Sequence, residues 1–231
     1  MHKTPYHIVL FPDGNRRWAK KRGFPLSRGH FEGYKNLMRF CRWCQKEGVK
    51  VLTAFGFSTE NWGRNKEEVN YLMRLFGEGL SSPKNVEDLQ KSKVRLKIIG
   101  QKQKLPKFLQ KTISKIERLT RKNKKLHLNL AVSYGGRWDI AQALRGIIAK
   151  KIPASKITEK LIDNHLSTAG LPAPDLIIRA GGEQRLSNFV LWQGAYSELY
   201  FSKKLWPSFT ERDLKLAIKE YKRRNRRFGR N

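Results

Sequence analysis

The chain has 231 residues, and its 49 Lys and Arg against 19 Asp and Glu give a formal net charge of +30 at pH 7. Hydrophobic residues make up 39% of the sequence and aromatic residues 11%, which excludes a disordered polycation and predicts a folded core. The 2 Cys, 9 Pro and 18 Gly exclude disulfide-stapled and collagen-like folds. Because no apolar run reaches ~18 residues and the amino terminus lacks a signal-peptide core, we expect a cytoplasmic protein.

Six short, largely apolar segments are predicted to be strands. They lie at residues 6–11, 50–57, 94–99, 127–132, 175–180 and 198–201. Several are apolar almost throughout, as strands covered on both faces tend to be. Helical patterns lie between them, and this alternation predicts an α/β fold: one domain over residues 1–231, with a mostly parallel six-stranded sheet flanked by helices. A basic tail follows at about residues 222–231.

Apolar residues recur at helical spacing in four of the intervening segments. The stripes are Tyr34, Leu37, Met38, Cys41 and Cys44; Val69, Leu72, Met73, Phe76 and Leu80; Leu105, Phe108, Leu109, Ile113, Ile116 and Leu119; and Ile140, Leu144, Ile147 and Ile148. Further helices are predicted at 16–21 and 210–224, with a break at 81–85. Cys41 and Cys44 lie on an apolar stripe without a second Cys pair, so we expect core packing rather than a zinc or redox site.

The segments that follow the predicted strands contain residues that a core does not require. They are residues 13–18, 58–64, 134–138 and 179–188. In an open parallel sheet, ligands bind beyond the carboxyl ends of the strands. We therefore expect these four segments to converge on one site.

The side chains of these segments fit a diphosphate ligand. Asp13 is a hard oxygen ligand suited to Mg²⁺. Arg17, Arg179 and Arg185 are able to bind phosphate oxygens through two N–H groups each, and Ser187 adds a hydroxyl. The sequence has no G-x-x-x-x-G-K-[ST] or G-x-G-x-x-G motif, so the common nucleotide sites are not indicated.

Each of these features also has a purely structural interpretation. Asp13-Gly14-Asn15 is a common turn sequence, and Glu198 is also explained as a charge on an edge strand. His30 fits a buried structural histidine. Trp18 and Trp62 fit core positions.

Several stretches of the chain match the motifs of one known family, in order. They are residues 7–15 (HIVLFPDGN), 17–21 (RWAKK), 29–30 (GH), 57–62 (FSTENW), 129–140 (NLAVSYGGRWDI), 182–189 (GEQRLSNF), 196–201 (YSELYF), 206–207 (WP) and 226–229 (RRFG). Together they resemble the cis-prenyltransferases, the undecaprenyl diphosphate synthase-like isoprenyl transferases. The resemblance implies that the protein condenses isopentenyl diphosphate with an allylic diphosphate such as farnesyl diphosphate, forming a new Z double bond with each addition.

The resemblance also implies site residues and partners. Asp13 and Asn61 would be catalytic, Asn61 as a proton acceptor, and Asp13 and Glu198 would bind Mg²⁺. The allylic diphosphate would be bound by Gly14, Asn15, Arg16, Arg17, Trp18, Arg28, His30, Ser58, Thr59, Glu60, Trp62 and Arg64, and isopentenyl diphosphate by Arg179, Arg185, Leu186 and Ser187. A homodimer is implied, with residues 226–229 reaching the site of the partner.

Three positions depart from the pattern of bacterial family members. Arg16 replaces a Gly, and Pro12 replaces a Met. Leu26 replaces a phosphate-binding Arg, so either Arg28 substitutes for it or that contact is absent.

The product chain is expected to lie in an apolar tunnel. Its predicted wall is the stripe Val69, Leu72, Met73, Phe76 and Leu80, with Gly56 nearby. The region between Trp62 and Val94 is about two residues longer than in bacterial members, and together these features favour a medium- or long-chain product.

Two alternative functions remain. The charge fits a basic nucleic-acid-binding protein, although no reading motif or aromatic platform accompanies the basic residues, so we expect no specific nucleic acid partner. A family member with altered, short-chain condensation is the second alternative. The charge also fits peripheral contact with an anionic membrane surface.

Overall fold

The computed structural model describes residues 4–224, so the predicted basic tail lies outside the described residues except for its first three positions. The strands are β1 (His7–Phe11), β2 (Val51–Ser58), β3 (Val94–Ile99), β4 (Leu126–Tyr134), β5 (Leu176–Arg179) and β6 (Glu198–Phe201). The helices are α1 (Asn15–Lys20), α2 (Leu26–Lys46), α3 (Lys66–Ser81), α4 (Pro83–Lys91), α5 (Lys107–Thr120), α6 (Gly136–Ala149), α7 (Glu159–Asp163) and α8 (Glu211–Arg223). None of the helices in this part of the chain combines the length and the apolar character needed to cross a membrane.

The six strands form one sheet in the order β3-β4-β2-β1-β5-β6. Each neighbouring pair is parallel, so the predicted mostly parallel sheet is parallel throughout. All carboxyl ends consequently point to one edge. The loops after β1, β2, β4 and β5 meet there, as the sequence predicts.

The sheet has a hydrophobic core on each face. Along β1, Ile8 and Leu10 belong to one cluster of buried residues, whereas Val9 and Phe11 belong to the other. Successive side chains of a strand point to opposite faces. Because both faces of β1 are covered, its sequence is apolar at consecutive positions.

The helix predictions are largely confirmed. The expected break at 81–85 is the junction where α3 ends at Ser81 and α4 begins at Pro83. Proline is favoured at the first position of a helix. The short α7 is not predicted by periodicity, because its five residues are too few to show an apolar stripe. Cys41 and Cys44 are buried and unpaired, and burial raises the pKa of the Cys41 thiol to about 12. Both thiols are therefore core residues, as predicted.

The buried carboxylate of Asp139, in α6, links the end of β4 to the segment that follows α7. Asp139 is fully buried and accepts hydrogen bonds from the Tyr134 hydroxyl at 2.9 Å and from the backbone N–H and hydroxyl of Ser167 at 2.9 and 2.7 Å. The side-chain amides of Gln142 and Gln193 donate to it at 3.0 and 3.1 Å. Five donors thus replace water around this charge.

Replacement of Asp139 by Ala is expected to lower the free energy of unfolding by about 3 kcal/mol or more, because several buried donors lose their acceptor at once. Chemical denaturation measures this loss. Asp163→Ala is the control: Asp163 is exposed, accepts one hydrogen bond from Trp192 at 2.8 Å, and should cost about 1 kcal/mol or less. Equal losses in the two variants would contradict the role assigned to Asp139.

Candidate active site

A cavity of about 550 Å³ opens at the carboxyl edge of the sheet. This volume falls within the range of small-molecule sites. Its lining at this edge includes Asp13, Arg17, Ser58, Arg179 and Ser187. Further predicted residues that line it are Gly14, Asn15, Arg16, His30, Asn61 and Arg64. The structure therefore brings eleven of the predicted site residues to one cavity.

The remainder of the cavity is apolar. Its walls are formed by Leu37 and Met38 from α2, Leu72, Leu75, Phe76 and Leu80 from α3, Leu89 from α4, and Leu96, Leu128 and Leu130 from β3 and β4. Of the predicted stripe on α3, Leu72, Phe76 and Leu80 line the cavity, whereas Val69 and Met73 are buried in the core behind it. Gly56 lines the cavity as expected. The site thus combines a charged mouth with an apolar interior.

Arg179 is the most enclosed charge at the mouth, with a side chain only 6% exposed. Its Nη2 donates to Asp13 Oδ2 at 2.9 Å, and its Nη1 donates to Ser187 Oγ at 2.8 Å and to the carbonyl oxygen of Arg185. Its guanidinium carbon lies 5.0 Å from the centre of the Phe11 ring, while its Nε is buried without a partner among the described residues. Arg179 therefore connects the end of β1 to the loop after β5.

Arg17 and Arg185 share one carboxylate. Glu183 Oε1 lies 3.1 Å from Arg17 Nη1, and Glu183 Oε2 lies 2.6 Å from Arg185 Nη1. Arg17 also approaches Asp13 Oδ1 at 3.5 Å. Both arginine side chains are substantially exposed, and exposed ion pairs contribute little to stability. The pairs can therefore be exchanged for a diphosphate at small cost.

A second carboxylate holds three basic side chains at the other side of the mouth. Glu68 Oε1 lies 3.0 Å from His30 Nε2 and from Arg64 Nη1, and 3.9 Å from Arg16 Nε. Burial lowers the pKa of His30, although Glu68 opposes that shift. Sequence reasoning missed Glu68, which lies in the first turn of α3, whereas Arg64 precedes that helix, so helical spacing does not signal the pair.

The loop after β2 is held by its own hydrogen bonds. Asn61 Oδ1 accepts the Ser58 backbone N–H at 3.1 Å. Glu60 Oε1 accepts from Asn188 Nδ2 at 2.8 Å. Burial raises the pKa of Glu60, but the hydrogen bonds from Asn188 and from the loop outweigh burial and lower it overall. Asn188 lies in the predicted site segment 179–188, although the sequence assigns it no individual role. It has a positive φ of 62° and joins this loop to the segment after β5.

Several predicted substrate-binding residues do not line the cavity. Trp18 Nε1 donates to Ser208 Oγ at 2.9 Å, and Trp62 Nε1 donates to Ser133 Oγ at 2.9 Å. Trp62 also packs edge-on against Phe57. The remaining residues of this group are Thr59, Glu60, Arg28, Arg185 and Leu186. The hydrogen bonds of Trp18 and Trp62 therefore favour a structural role for both tryptophans.

Arg28 does not line the cavity, so its substitution for the arginine that Leu26 replaces stays a prediction. Its Nη2 lies 2.9 Å from Glu32 Oε1, one turn along α2, and its side chain is 53% exposed. Leu186 packs against the cluster that contains Phe189. In this conformation neither residue contacts the cavity.

Within a single chain, Glu198 and Asp13 lie too far apart to bind one metal ion, so the metal role of Glu198 stays a prediction. Glu198 is the first residue of β6 and pairs in register with Leu176, which pairs with Ile8 near the start of β1. Asp13 follows the other end of β1. Glu198 instead pairs with Arg224 at 2.9 Å.

The donor set at the mouth fits Mg²⁺ only together with a substrate. No group of three or more His, Cys, Asp or Glu side chains suited to a metal ion occurs within residues 4–224. Asp13 is the one carboxylate among the described residues that line the cavity. Mg²⁺ commonly binds through one or two carboxylates and the phosphates of a substrate, so Asp13 suffices as its protein ligand.

The comparisons with known proteins agree with this geometry. A family model described as "Putative undecaprenyl diphosphate synthase" matches residues 11–229. The chain is 46% identical over 229 residues to an isoprenyl transferase of Thermotoga maritima, covering 98% of this chain and 97% of the relative. It is 48% identical over 231 residues to a (2Z,6Z)-farnesyl diphosphate synthase of Solanum lycopersicum, covering 97% and 79%.

Solved structures of prenyl diphosphate synthases are also similar to this chain. Lavandulyl diphosphate synthase from Lavandula x intermedia, in complex with dimethylallyl diphosphate, superimposes with a TM-score of 0.94 at 43% identity and 98% coverage of each chain. A probable undecaprenyl diphosphate synthase from Campylobacter jejuni gives a TM-score of 0.82 at 35% identity, with full coverage of both chains. The fold, the charged mouth and these similarities agree, and the chain belongs to the undecaprenyl diphosphate synthase family of cis-prenyltransferases.

Proposed function

We propose that this prenyltransferase condenses isopentenyl diphosphate with an allylic diphosphate such as farnesyl diphosphate, and that each addition creates a Z double bond. The product is a medium- or long-chain polyprenyl diphosphate. The observation that carries this proposal is the continuity between the charged mouth and the apolar interior of one cavity. Such a cavity matches a substrate with a diphosphate head and a hydrocarbon tail.

The two diphosphates are assigned to the two sides of the mouth. The allylic diphosphate lies against Gly14, Asn15, Arg16, Arg17 and His30, near the start of α1. Isopentenyl diphosphate lies against Arg179, Arg185 and Ser187. Glu183 supports this arrangement, because its carboxylate already bridges an arginine from each side.

The arginines stabilise the charge that develops as the allylic C–O bond breaks. Pre-positioned donors act most strongly where charge appears in the transition state, and Arg179 is held in place before substrate arrives. Mg²⁺, bound by Asp13 and phosphate oxygens, would neutralise the leaving diphosphate. Asn61 is a neutral amide whose oxygen accepts the Ser58 N–H. We therefore assign Asn61 the role of positioning the proton that is lost. Phosphate oxygens accept that proton more readily than an amide does.

Short-chain condensation is the alternative, and two of the relatives favour it. The Solanum lycopersicum relative is named for farnesyl diphosphate, and the Lavandula x intermedia structure for lavandulyl diphosphate. Product analysis with isopentenyl and farnesyl diphosphates separates this alternative from medium- or long-chain elongation. Absence of any condensation product would contradict both.

A homodimer is also proposed. Leu144 and Ile148 lie one turn apart on α6, and Ile148 is 71% exposed, as expected of a surface that another copy covers. Contact with anionic membrane is supported by residues 102–125, which contain ten Lys or Arg and one Glu. The tail at 226–229 that would reach the partner lies outside the described residues.

Asp13→Asn is expected to reduce turnover by orders of magnitude, because the charge that holds Mg²⁺ is removed. Asn keeps an oxygen acceptor for the buried Arg179, so the fold should be retained, whereas Ala would leave that guanidinium unpaired. Steady-state rates and thermal unfolding test this, with Asp163→Ala as an active control. Full activity of Asp13→Asn in excess chelator would exclude the proposed metal role.

Arg17→Ala and Arg185→Ala form a matched pair, since each loses the same partner, Glu183. Arg185→Ala should raise mainly the apparent KM for isopentenyl diphosphate, and Arg17→Ala mainly that for the allylic substrate. Each effect should be about tenfold or more, since a hydrogen bond to a charged group is worth ~1.5–3 kcal/mol. Reversed substrate dependence would show that the two sites are interchanged.

Gly56→Leu is expected to shorten the products while the first condensation survives. A Cβ at Gly56 would stand 3.0 Å from Leu130 Cδ1 and 3.3 Å from Phe76 Cζ, so a larger side chain has to extend into the cavity. Inserting a side chain into packed surroundings costs ~1–3 kcal/mol. Chromatography of the products measures the shift. An unchanged distribution from a folded, active variant would place the growing chain elsewhere.

A further inference from the structure

We propose that Tyr34 and Asn85 form a hydrogen-bonded bar across the cavity and thereby limit the length of the product chain. This inference rests on the proposed elongation of a prenyl chain within the cavity. It assigns chain-length control to a polar pair between three helices. We call this pair the Tyr34–Asn85 bar.

The Tyr34–Asn85 bar joins α2, α3 and α4 at one point. Asn85 Nδ2 donates to Tyr34 Oη at 2.6 Å and to the carbonyl oxygen of Gly79 at 2.9 Å. The Tyr34 hydroxyl points to the same carbonyl at 3.4 Å. Tyr34, Gly79 and Asn85 all line the cavity, and both side chains of the bar are half-buried. The bar therefore forms part of the cavity wall.

On α2 Tyr34 lies one turn after His30, but along α3 the bar is well separated from the mouth. Helix α3 begins at Lys66, directly after the loop that contains Asn61 and Arg64. Gly79 lies in the last turn of that helix, about 20 Å further along at 1.5 Å per residue. A chain that grows from the mouth along α3 reaches the bar at the end of the helix.

Helix ends explain why polar groups occur at this apolar position. The last carbonyl groups of an α-helix lack partners within the helix. The break between α3 and α4 brings Asn85, in the first turn of α4, back to the Gly79 carbonyl. The same contact fixes Asn85 opposite Tyr34. The helix break thus produces the bar.

Gly79 allows the Tyr34 ring to lie directly against the backbone of α3. A Cβ at this position would stand 2.9 Å from Tyr34 Cε2 and 3.1 Å from Cζ. No flexible side chain lies between the ring and the helix. The ring has little freedom to move aside in that direction.

Because of its hydrogen bonds, the bar is displaced less readily by a growing hydrocarbon chain than a leucine side chain would be. The neighbouring lining residues, Leu37, Met38, Leu80 and Leu89, can change rotamer without losing a polar contact. Displacement of Tyr34 or Asn85 by hydrocarbon would leave polar groups without partners, because a prenyl chain neither donates nor accepts hydrogen bonds. Elongation past this point is therefore disfavoured.

The test compares product lengths from farnesyl and isopentenyl diphosphates by reversed-phase chromatography. Tyr34→Ala and Asn85→Ala should each increase the ratio of products longer than the main wild-type product to the main product itself by about tenfold, the effect of one lost buried hydrogen bond. Tyr34→Phe retains the ring and loses the hydroxyl, so its shift should be smaller than that of Tyr34→Ala. Asn85→Ala keeps the inference testable if Tyr34→Ala does not fold.

Tyr71→Ala is the matched control. Tyr71 also connects α3 to α2, donating its hydroxyl to the Ser27 carbonyl at 3.1 Å, but it does not line the cavity. Its product distribution should equal that of the wild type. Lengthening in Tyr71→Ala equal to that in Tyr34→Ala would indicate general loosening of the helices and would overturn the inference.

The possible failures are distinguishable. A wild-type protein that forms no condensation product overturns the proposed function and the bar with it. A wild-type protein that elongates, together with folded Tyr34→Ala and Asn85→Ala variants whose product distributions are unchanged, overturns the bar alone.

Discussion

The burial of the Arg179 guanidinium at the carboxyl edge of the sheet is the interaction on which the site depends. A cation taken out of water requires an opposite charge and further acceptors. Asp13 supplies the charge from the end of β1, while Ser187 and the Arg185 carbonyl supply acceptors from the loop after β5. One side chain therefore fixes the relative positions of the Asp13 carboxylate and the loop after β5.

The remaining basic residues of the mouth are held by two carboxylates of different exposure. Glu68 is nearly buried and positions His30 and Arg64, whereas Glu183 is more accessible and bridges Arg17 and Arg185. A buried pair is rigid, and an exposed pair can be exchanged. The mouth thus has one side that is pre-positioned and one that can rearrange when a diphosphate enters.

The apolar part of the cavity follows from the same parallel sheet. Helix α3 leaves the site loop after β2 and runs back along the sheet, so its apolar face continues from the charged mouth into the protein. The cavity reaches the junction with α4, where helix termini leave carbonyl groups to be satisfied. Asn85 satisfies one of these groups, the carbonyl of Gly79.

The sequence by itself determined the strands, their common edge and most of the charged mouth. Consecutive apolar residues predict strands covered on both faces, and parallel strands bring their carboxyl ends together, so Asp13, Ser58 and Arg179 are predictable neighbours. The burial of Cys41 and Cys44 follows from helical spacing. These inferences use only local periodicity and chain order.

Only the tertiary structure decided which side chains reach the cavity and what holds them. Trp18 and Trp62 lie in the predicted segments but point to Ser208 and Ser133, partners that are distant in sequence. Glu198 lies at the amino end of β6, away from Asp13 of the same chain, because the register of β6 is set by pairing through β5 to β1 and not by its own residues. Side-chain direction and register depend on contacts between distant segments, which local sequence patterns do not encode.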